Sequence, residues 1–513
     1  MLPQLIQGGM GAGVSGWPLA REVAAHGQLG VVSGTALDAI LVRRLARGDP
    51  GGHVRRAMNA FPLPDVVRRV LKRYSPPGDP PRDGPDRDPT DDAGRDAGAR
   101  TPPAATDADA GQRYKLVPLP RATLTPAREE LLVLANFVEV HLAREGHDGM
   151  VGINYLHKIE LPILPSLYGA MLAGVDVVLV GAGIPVEIPA ILDRLSEHLD
   201  VSAALDVMDA GDEKVRMTFD PAPLWAGACA ADRPALRRPH FLPIVSSATL
   251  ARALLKKASG GIDGFVVEKP VAGGHNAPPR GAQQLSHRGE PIYGRRDEVD
   301  PADMVALNVP FWLAGGYATR SQFKAALDAG ASGVQVGTAF AFCEESGLDP
   351  ELRRRFLSRL LRDGDEVFTD PIASPTGFPF KVAEIEQTLS DQAVYEQRPR
   401  LCDMGYLRRA YRKPDGTIGY RCPAEPVDDY VRKGGKAEDT VGRKCLCNAL
   451  MANIGLGQRR ADGYEEPPLL TTGDDLACVR AFISVDRPSY HARDVIESLL
   501  PSVDAAPRPA AQA

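Results

Sequence analysis

One rhythm constrains this 513-residue chain more than any other feature. Short runs rich in Val, Ile and Leu recur through its first two-thirds, most of them ending in Gly, Ser or Pro. They are Leu2–Gly9, Leu29–Gly34, Met150–Leu156, Asp176–Gly181, Phe241–Ser246, Gly264–Lys269, Pro310–Gly315 and Gly333–Thr338. A run that is apolar at nearly every position has no face left for solvent, which is the habit of a parallel strand covered on both sides. Helical patterns separate the runs: Trp17–Ala25, Pro126–Arg144, Pro165–Ala173, Pro189–Leu199, Thr249–Ala258, Pro301–Leu307 and Ser321–Ala329. Eight β/α units in succession predict an α/β protein built as a closed TIM-type (β/α)₈ barrel, not an open sheet.

Two segments interrupt this rhythm. Ser75–Gln112 is made almost wholly of Pro, Asp, Gly, Arg, Ala and Thr. It has too little apolar surface to offset its ordering entropy, so it reads as a disordered loop insertion. Val201–Met208 and Lys214–Phe219 read as a hairpin added between the fourth and fifth strands. The rhythm then stops near Cys343. The expected division is a barrel over residues 1–346, with the insertion at 75–112, and an extension over residues 347–513 packed on it. The extension should open with a helix at Pro350–Arg362, turn irregular over Ser374–Gly457, and end in a frayed Ala/Pro-rich tail, Ala505–Ala513.

Charge and hydropathy narrow the function classes. The net charge is −6 and no Lys/Arg run forms a stripe, which argues against a nucleic-acid partner. No stretch of about twenty apolar residues offers a membrane span, and no basic segment followed by an apolar run offers a signal peptide. The expectation is a cytoplasmic protein with a small-molecule substrate, compatible with a homo-oligomer. Seven cysteines in a chain of this length fit free thiols or a metal site better than a disulfide scaffold.

Several motifs sit where strands end. Gly11-Ala-Gly13-Val-Ser-Gly16 has the spacing of a dinucleotide-binding turn. The next strand, Leu29–Gly34, lacks the acidic residue that would bind a ribose, so the Gly-rich turn reads instead as backbone brought close to a flat ligand. Gly315 and Gly316 follow the seventh strand, and Gln335, Gly337 and Thr338 mark the eighth. Those are the two loops from which such barrels build phosphate sites; Gly leaves the N–H groups bare and Thr338 adds a hydroxyl. Glu268-Lys-Pro-Val-Ala-Gly-Gly-His275 ends the sixth strand. A His on the C-terminal face is the leading candidate for proton transfer, and Gly273 and Gly274 let its loop lie against a planar cofactor. Asn154 at the third strand offers donors and acceptors to a ring edge, and Gly181 ends the fourth. Cys402, Cys422, Cys445 and Cys447 fit either a tetrahedral Zn site or four free, partly buried thiols.

These pieces resemble, in order, the nitronate monooxygenase (2-nitropropane dioxygenase) family and its sister group, the FMN-dependent enoyl-acyl carrier protein reductases. The matching pieces are Leu5-Ile-Gln-Gly-Gly-Met10, Leu29-Gly-Val-Val-Ser33, Val151-Gly-Ile-Asn154, Gly181-Ala-Gly-Ile-Pro185, Ala272-Gly-Gly-His275, Leu313-Ala-Gly-Gly316 and Gly333-Val-Gln-Val-Gly-Thr338. The resemblance implies non-covalent FMN on the C-terminal face. Gly315, Gly316, Gly337 and Thr338 would hold its phosphate, and Gly9, Met10 and Asn154 would lie along the ring and ribityl chain. Gly181, Gly273, Gly274 and Gln335 complete the implied cofactor set. His275 matches the family's active-site His, which handles a proton at the substrate's α-carbon. The implied reaction is oxidation of alkyl nitronates with O₂ to carbonyl compounds and nitrite. The alternatives are an NAD(P)H-dependent enoyl-thioester reductase on the same scaffold, or a flavin-free phosphate-binding barrel. Lys269-Pro-Val271 before Ala-Gly-Gly-His, Val245-Ser-Ser247 at the fifth strand, the insertion and the Cys-bearing extension all depart from the smaller family members. The extension is expected to cap the cofactor face.

Overall fold

The structure is a computed structural model that describes residues 2–76, 114–211, 213–227, 233–362, 364 and 366–500. The expected disordered insertion, apart from Ser75 and Pro76, and the expected frayed tail lie outside the described residues.

All eight apolar runs are strands: β1 Leu5–Gln7, β2 Gly30–Ser33, β3 Val151–Leu156, β4 Val177–Gly181, β5 His240–Val245, β6 Phe265–Glu268, β7 Phe311–Ala314 and β8 Gly333–Val336. Every pairing among them is parallel, from Gly30 opposite Val151 round to Leu5 opposite Val334. Around the sheet β1 lies beside β8, and the order runs back through β7 and β6 to β2. A single parallel bridge, Ile6 to Leu29, closes the barrel between β1 and β2.

The alternation of side chains explains why these strands read as continuous apolar runs. Val177, Leu179, Val266 and Trp312 join one buried cluster that fills the barrel. Their neighbours Val178 and Val180, and Phe265 and Val267, join two larger clusters between the strands and the surrounding helices. Both faces are buried, so neither is polar. Pro126–Arg144 was legible to the residue, and most of its length is buried. Trp17–Ala25 and Pro350–Arg362 also coincide with expectation, and the other helices shift by one to three residues at an end.

Three helices were not anticipated: Leu37–Ala46, His53–Asn59 and Pro64–Tyr74, all between β2 and residue 76. The last carries Val66, Val67, Val70 and Tyr74 on one buried face, a helical spacing hidden among its basic residues. The added hairpin is real over Val201–Leu205 and Val215–Phe219. Val207–Met208 leaves it to pair with Arg409–Arg412 instead. The stretch expected to be irregular holds a second hairpin, Arg409–Arg412 with Ile418–Arg421, and helices Gln392–Gln397, Val427–Arg432 and Leu446–Ala452.

The C-terminal residues are tied to the barrel side by buried polar contacts. Arg128 pairs with Asp38 at 2.5 Å, both nearly inaccessible, and the Tyr406 hydroxyl donates to the same carboxylate. Arg43 donates to the Leu456 carbonyl. Tyr490 donates to the Ala339 carbonyl at 2.6 Å, and Phe356 stacks on Phe342 with ring centres 4.2 Å apart. No described helix is long and apolar enough to cross a membrane.

Barrel closure leans on one side chain. Gln7 is fully buried; its Oε1 accepts from the Val31 N–H at 3.0 Å and its Nε2 donates to Ser15 Oγ at 2.9 Å. Replacing it with Leu keeps the bulk and orphans the Val31 N–H, so Gln7→Leu is expected to lower unfolding stability by about 1–3 kcal/mol in urea titrations followed by circular dichroism. An unchanged midpoint would mean that the ladder closes without the amide.

Candidate active site

The inward-facing positions at the C-terminal ends of the strands form the floor of a cavity of about 230 Å³. Asn154 on β3, Gly181 on β4, Ile244 on β5, Glu268 on β6, Ala314 on β7 and Gln335 on β8 all line it. Each stands an even number of residues beyond an inward-facing or small neighbour on its strand, so strand periodicity alone aims them together. This is the end of the barrel where the connecting loops can build a site.

The loops supply the walls. Gly9 and Met10 follow β1, Gly273, Gly274 and His275 follow β6, Gly315 and Gly316 follow β7, and Gly337 and Thr338 follow β8. Every cofactor position expected from the sequence therefore borders one space. Gly315 and Gly316 have φ of 88° and 77°, a region that disfavours side chains, and a Cβ on Gly315 would press on Lys269 and Val271. At Gly9 a Cβ would come within 2.5 Å of Asn154 Cβ. The glycines are therefore a steric requirement of the site.

Two amide oxygens here are buried without a partner: Asn154 Oδ1 and Gln335 Oε1. Asn154 Nδ2 donates to the Gly9 carbonyl at 3.2 Å, which fixes the amide and leaves its oxygen toward the cavity wall. Unpaired buried acceptors cost about 1–3 kcal/mol each, so both positions are built for a donor that a ligand brings. A flat heteroaromatic ring with N–H groups, carrying a phosphate that reaches bare backbone amides, matches this donor and acceptor set. FMN has that chemistry, and the residues fit it.

His275 is held from outside the barrel. The backbone of its loop pairs with the strand Phe380–Ala383: Lys381 N donates to the Gly274 carbonyl and Asn276 N to the Pro379 carbonyl, both at 2.9 Å. Gly274 N donates to Thr471 Oγ1 at 3.0 Å. Phe380 meets the imidazole edge to face at 4.9 Å, and Nε2 lies 2.7 Å from the buried Ser374 Oγ. Burial pushes the imidazole down to about 4, and Lys158 adds to the shift, so His275 is neutral at neutral pH. Lys158 itself is lowered to about 8 by burial, with its ammonium 3.1 Å from the Phe378 ring centre. In the tautomer with Nε2–H donating to Ser374, Nδ1 carries the lone pair that takes a proton.

The C-terminal residues also form the far wall. Phe380, Tyr406, Leu407, Leu446, Leu450 and Leu470 give it an apolar character. Gly473 N donates to Thr338 Oγ1 at 3.0 Å, and a Cβ on Gly273 would come within 2.8 Å of the Thr472 backbone. This segment thus closes directly over two of the expected cofactor loops. No motif in the sequence marked Thr471–Gly473 or Ser374 for this role, because the contacts join positions about 100 to 200 residues apart. Glu268 was also passed over, although it opens the His275 motif and shares the inward phase of Val266.

Of the two readings offered for Cys402, Cys422, Cys445 and Cys447, the zinc site is the one to be corrected. Among the described residues no group of three or more His, Cys, Asp or Glu side chains is placed to hold a metal ion. Cys422 and Cys445 instead pack with Ala424 in a small apolar cluster, with Cys447 against it. Burial pushes all four thiols up, which favours the protonated form over the thiolate a metal needs. They are free thiols.

Residues 237–368 match the family model described as nitronate monooxygenase. The segment spans β5 to β8 and so holds His275 and both phosphate-loop candidates. A probable nitronate monooxygenase of Bacillus subtilis is 39% identical over 114 residues, 22% of this chain and 31% of the relative. One from Staphylococcus saprophyticus is 31% identical over 181 residues, 35% of this chain and 48% of the relative. A (3aS,4S,5R,7aS)-5-hydroxy-7a-methyl-1-oxo-octahydro-1H-indene-4-carboxyl-CoA dehydrogenase of Rhodococcus jostii is 29% identical over 120 residues, 23% of this chain and 30% of the relative. The chain thus spans less than half the length of each of these curated relatives.

The depressed imidazole makes a pH prediction. An unfolded His takes a proton near 6.5, and the folded one near 4. Between those values the unfolded chain binds more protons, so the contribution to stability is complete above 6.5 and falls as pH drops toward 4, by up to about 1.4 kcal/mol per unit. In His275→Gln that loss is removed. The stability difference between the two proteins should therefore move in the variant's favour as pH is lowered through this window, read by denaturant unfolding at each pH. A difference flat in pH would show that the imidazole is not desolvated.

Proposed function

We propose that this protein is an FMN-dependent oxidoreductase of nitronate monooxygenase type, oxidising alkyl nitronates with O₂ to carbonyl compounds and nitrite. The observation that carries the reading is the convergence of a neutral, buried His275, two unpartnered amide oxygens and the bare glycine loops on one cavity. The family segment over residues 237–368 supports the same chemistry. Bound here, FMN supplies the electron-accepting chemistry that the side chains lack. The chain's own part is to position and to move protons. Gly315, Gly316, Gly337 and Thr338 would hold the phosphate, and Asn154 and Gln335 would accept hydrogen bonds from the ring or ribityl chain. Neutral His275 can take the α-proton of a neutral nitroalkane at its free ring nitrogen, which yields the nitronate to be oxidised, while Ser374 keeps the imidazole oriented. The apolar wall excludes water from the reacting carbon.

An NAD(P)H-dependent reductase acting on thioesters is the second reading. Its support is the apolar wall from Phe380 to Leu470, which suits a long or bulky acyl group, and the CoA-thioester dehydrogenase among the relatives.

Purified protein should be yellow, and should consume O₂ with alkyl nitronates in the absence of NAD(P)H. Rapid anaerobic bleaching of the flavin by NADH or NADPH would favour the reductase instead. A colourless protein that binds no added FMN would defeat both. His275→Ala should keep its FMN while turnover of the neutral nitroalkane falls by about 10²–10⁴-fold, the range for losing a general acid or base. Near-normal turnover would remove His275 from the chemistry.

A further inference from the structure

Glu268 ends β6 on the inward phase of Val266, and it borders two cavities. One is the cofactor cavity. The other, of about 30 Å³, lies behind the His275 loop and is bounded by Ser246, Asn276, Ala277, Arg280, Tyr293 and Asp297. That exceeds the ~10–15 Å³ a single water requires.

The side cavity carries polar groups that can hold water. Asn276 is 2% exposed; its Nδ2 donates to the Ala272 carbonyl at 3.0 Å and its Oδ1 has no protein partner. That buried acceptor calls for a donor inside the cavity, and water is the donor that fits. Asp297 accepts from Arg280 N and Gly294 N, and the Tyr293 hydroxyl donates to the Ala277 carbonyl. Arg280 donates to the Ser246 carbonyl at 2.7 Å and is itself exposed, so this wall faces solvent.

Glu268 stands between these spaces without a fixed partner. Among the described residues no hydrogen bond or ion pair engages its carboxyl. His275 and Asp475 face the cofactor cavity; Lys269, Arg280, Tyr293 and Asp297 face the side cavity. The Lys269 ammonium is turned onto the Tyr317 ring, 4.5 Å from its centre. Burial alone pushes the Glu268 carboxyl up to about 7, so it can be found with or without its proton at neutral pH.

We propose that Glu268 carries protons between the cofactor cavity and water in the side cavity, and so connects the buried site to solvent beside Arg280. An O–H bond forms at the carboxylate as the donor's bond to hydrogen breaks in the cofactor cavity. That O–H bond then breaks as side-cavity water is protonated, and the proton leaves at the surface. No electron changes hands. The proposed oxidoreductase reading supplies only the origin of the proton; the exchange itself rests on the two cavities.

The experiment compares wild type with Glu268→Gln, which cannot titrate, and Ala277→Leu, which fills the side cavity and leaves Glu268 in place. Infrared titration of the resting protein should show a buried carboxyl that ionises near neutral pH in wild type and is missing in Glu268→Gln. In Ala277→Leu the band should remain but exchange with D₂O more slowly. With a turning-over substrate, both variants should lose about 10²-fold in turnover, and Glu268→Gln should lose the ionisation near neutral pH from its rate profile. A wild-type carboxyl ionised throughout this range, a rate profile unchanged in Glu268→Gln, or wild-type exchange in Ala277→Leu would each overturn the proposal. Circular dichroism and bound-flavin content check folding. If a variant does not fold, the wild-type band and its deuterium exchange still decide. Failure of the oxidoreductase reading would appear separately, as a wild-type protein with the carboxyl band and no turnover.

Discussion

A parallel barrel depends on its closure. Seven of the strand contacts here are ordinary ladders, but between β1 and β2 the ladder shrinks to the bridge at Ile6 and Leu29. Leu29 N donates to the Leu5 carbonyl and Gln7 N to the Leu29 carbonyl, and beyond that point the Gln7 amide takes over as acceptor for Val31. The same amide reaches Ser15, whose hydroxyl lies 2.9 Å from both the Gly8 carbonyl and the Met10 N–H. One side chain therefore joins barrel closure to the shape of the first glycine loop. Gly9 and Met10 can border the cofactor cavity only because this turn is fixed from below.

The second constraint comes from far along the chain. The His275 loop, with Gly274 at φ 80°, has little to hold it within the barrel. Its order comes from Phe380–Ala383, Thr471 and Ser374. These segments are in turn fastened by the buried pair of Arg398 with Glu466 at 2.6 Å, and by buried Lys381 reaching the exposed Asp474 at 2.5 Å. A buried pair of this kind contributes little net stability, but removing one partner leaves a costly charge. Such pairs set geometry more than they add stability. Residues outside the barrel rhythm thus complete the site by positioning the catalytic candidate and walling the cavity.

How much of this was legible follows from the range of the interactions. The eight strands could be read because burial on both faces leaves a local mark, a run of Val, Ile and Leu with Gly at its end. Gly315 and Gly316 could be read for the same reason, since a φ near 80° strongly favours Gly. The helices Leu37–Ala46 and Pro64–Tyr74 were hidden because basic residues interrupt their apolar faces. Ser374 and Thr471 were invisible because nothing local distinguishes a hydroxyl that orients a distant imidazole from one on the surface. The cysteines left two readings open for a related reason. Proximity in sequence suggested ligands, whereas the fold uses them as small apolar groups.

Glu268 and His275 show what the cavity does to charge. Loss of water moves them in opposite directions: the carboxyl up to about 7 and the imidazole, with Lys158 adding to the shift, down to about 4. Near neutral pH the imidazole is uncharged and the carboxyl is divided between its two forms, so neither brings a fixed positive charge to the cofactor face. An anionic ligand must then be met by dipoles, the backbone N–H groups of the glycine loops and the hydroxyl of Thr338. Such dipoles are held in place by the fold and need no reorganisation when charge shifts within the ligand. The glycines therefore have two reasons to be glycine: the backbone turns through conformations that other residues resist, and bare amides would serve as the positive end of the site for an anionic ligand.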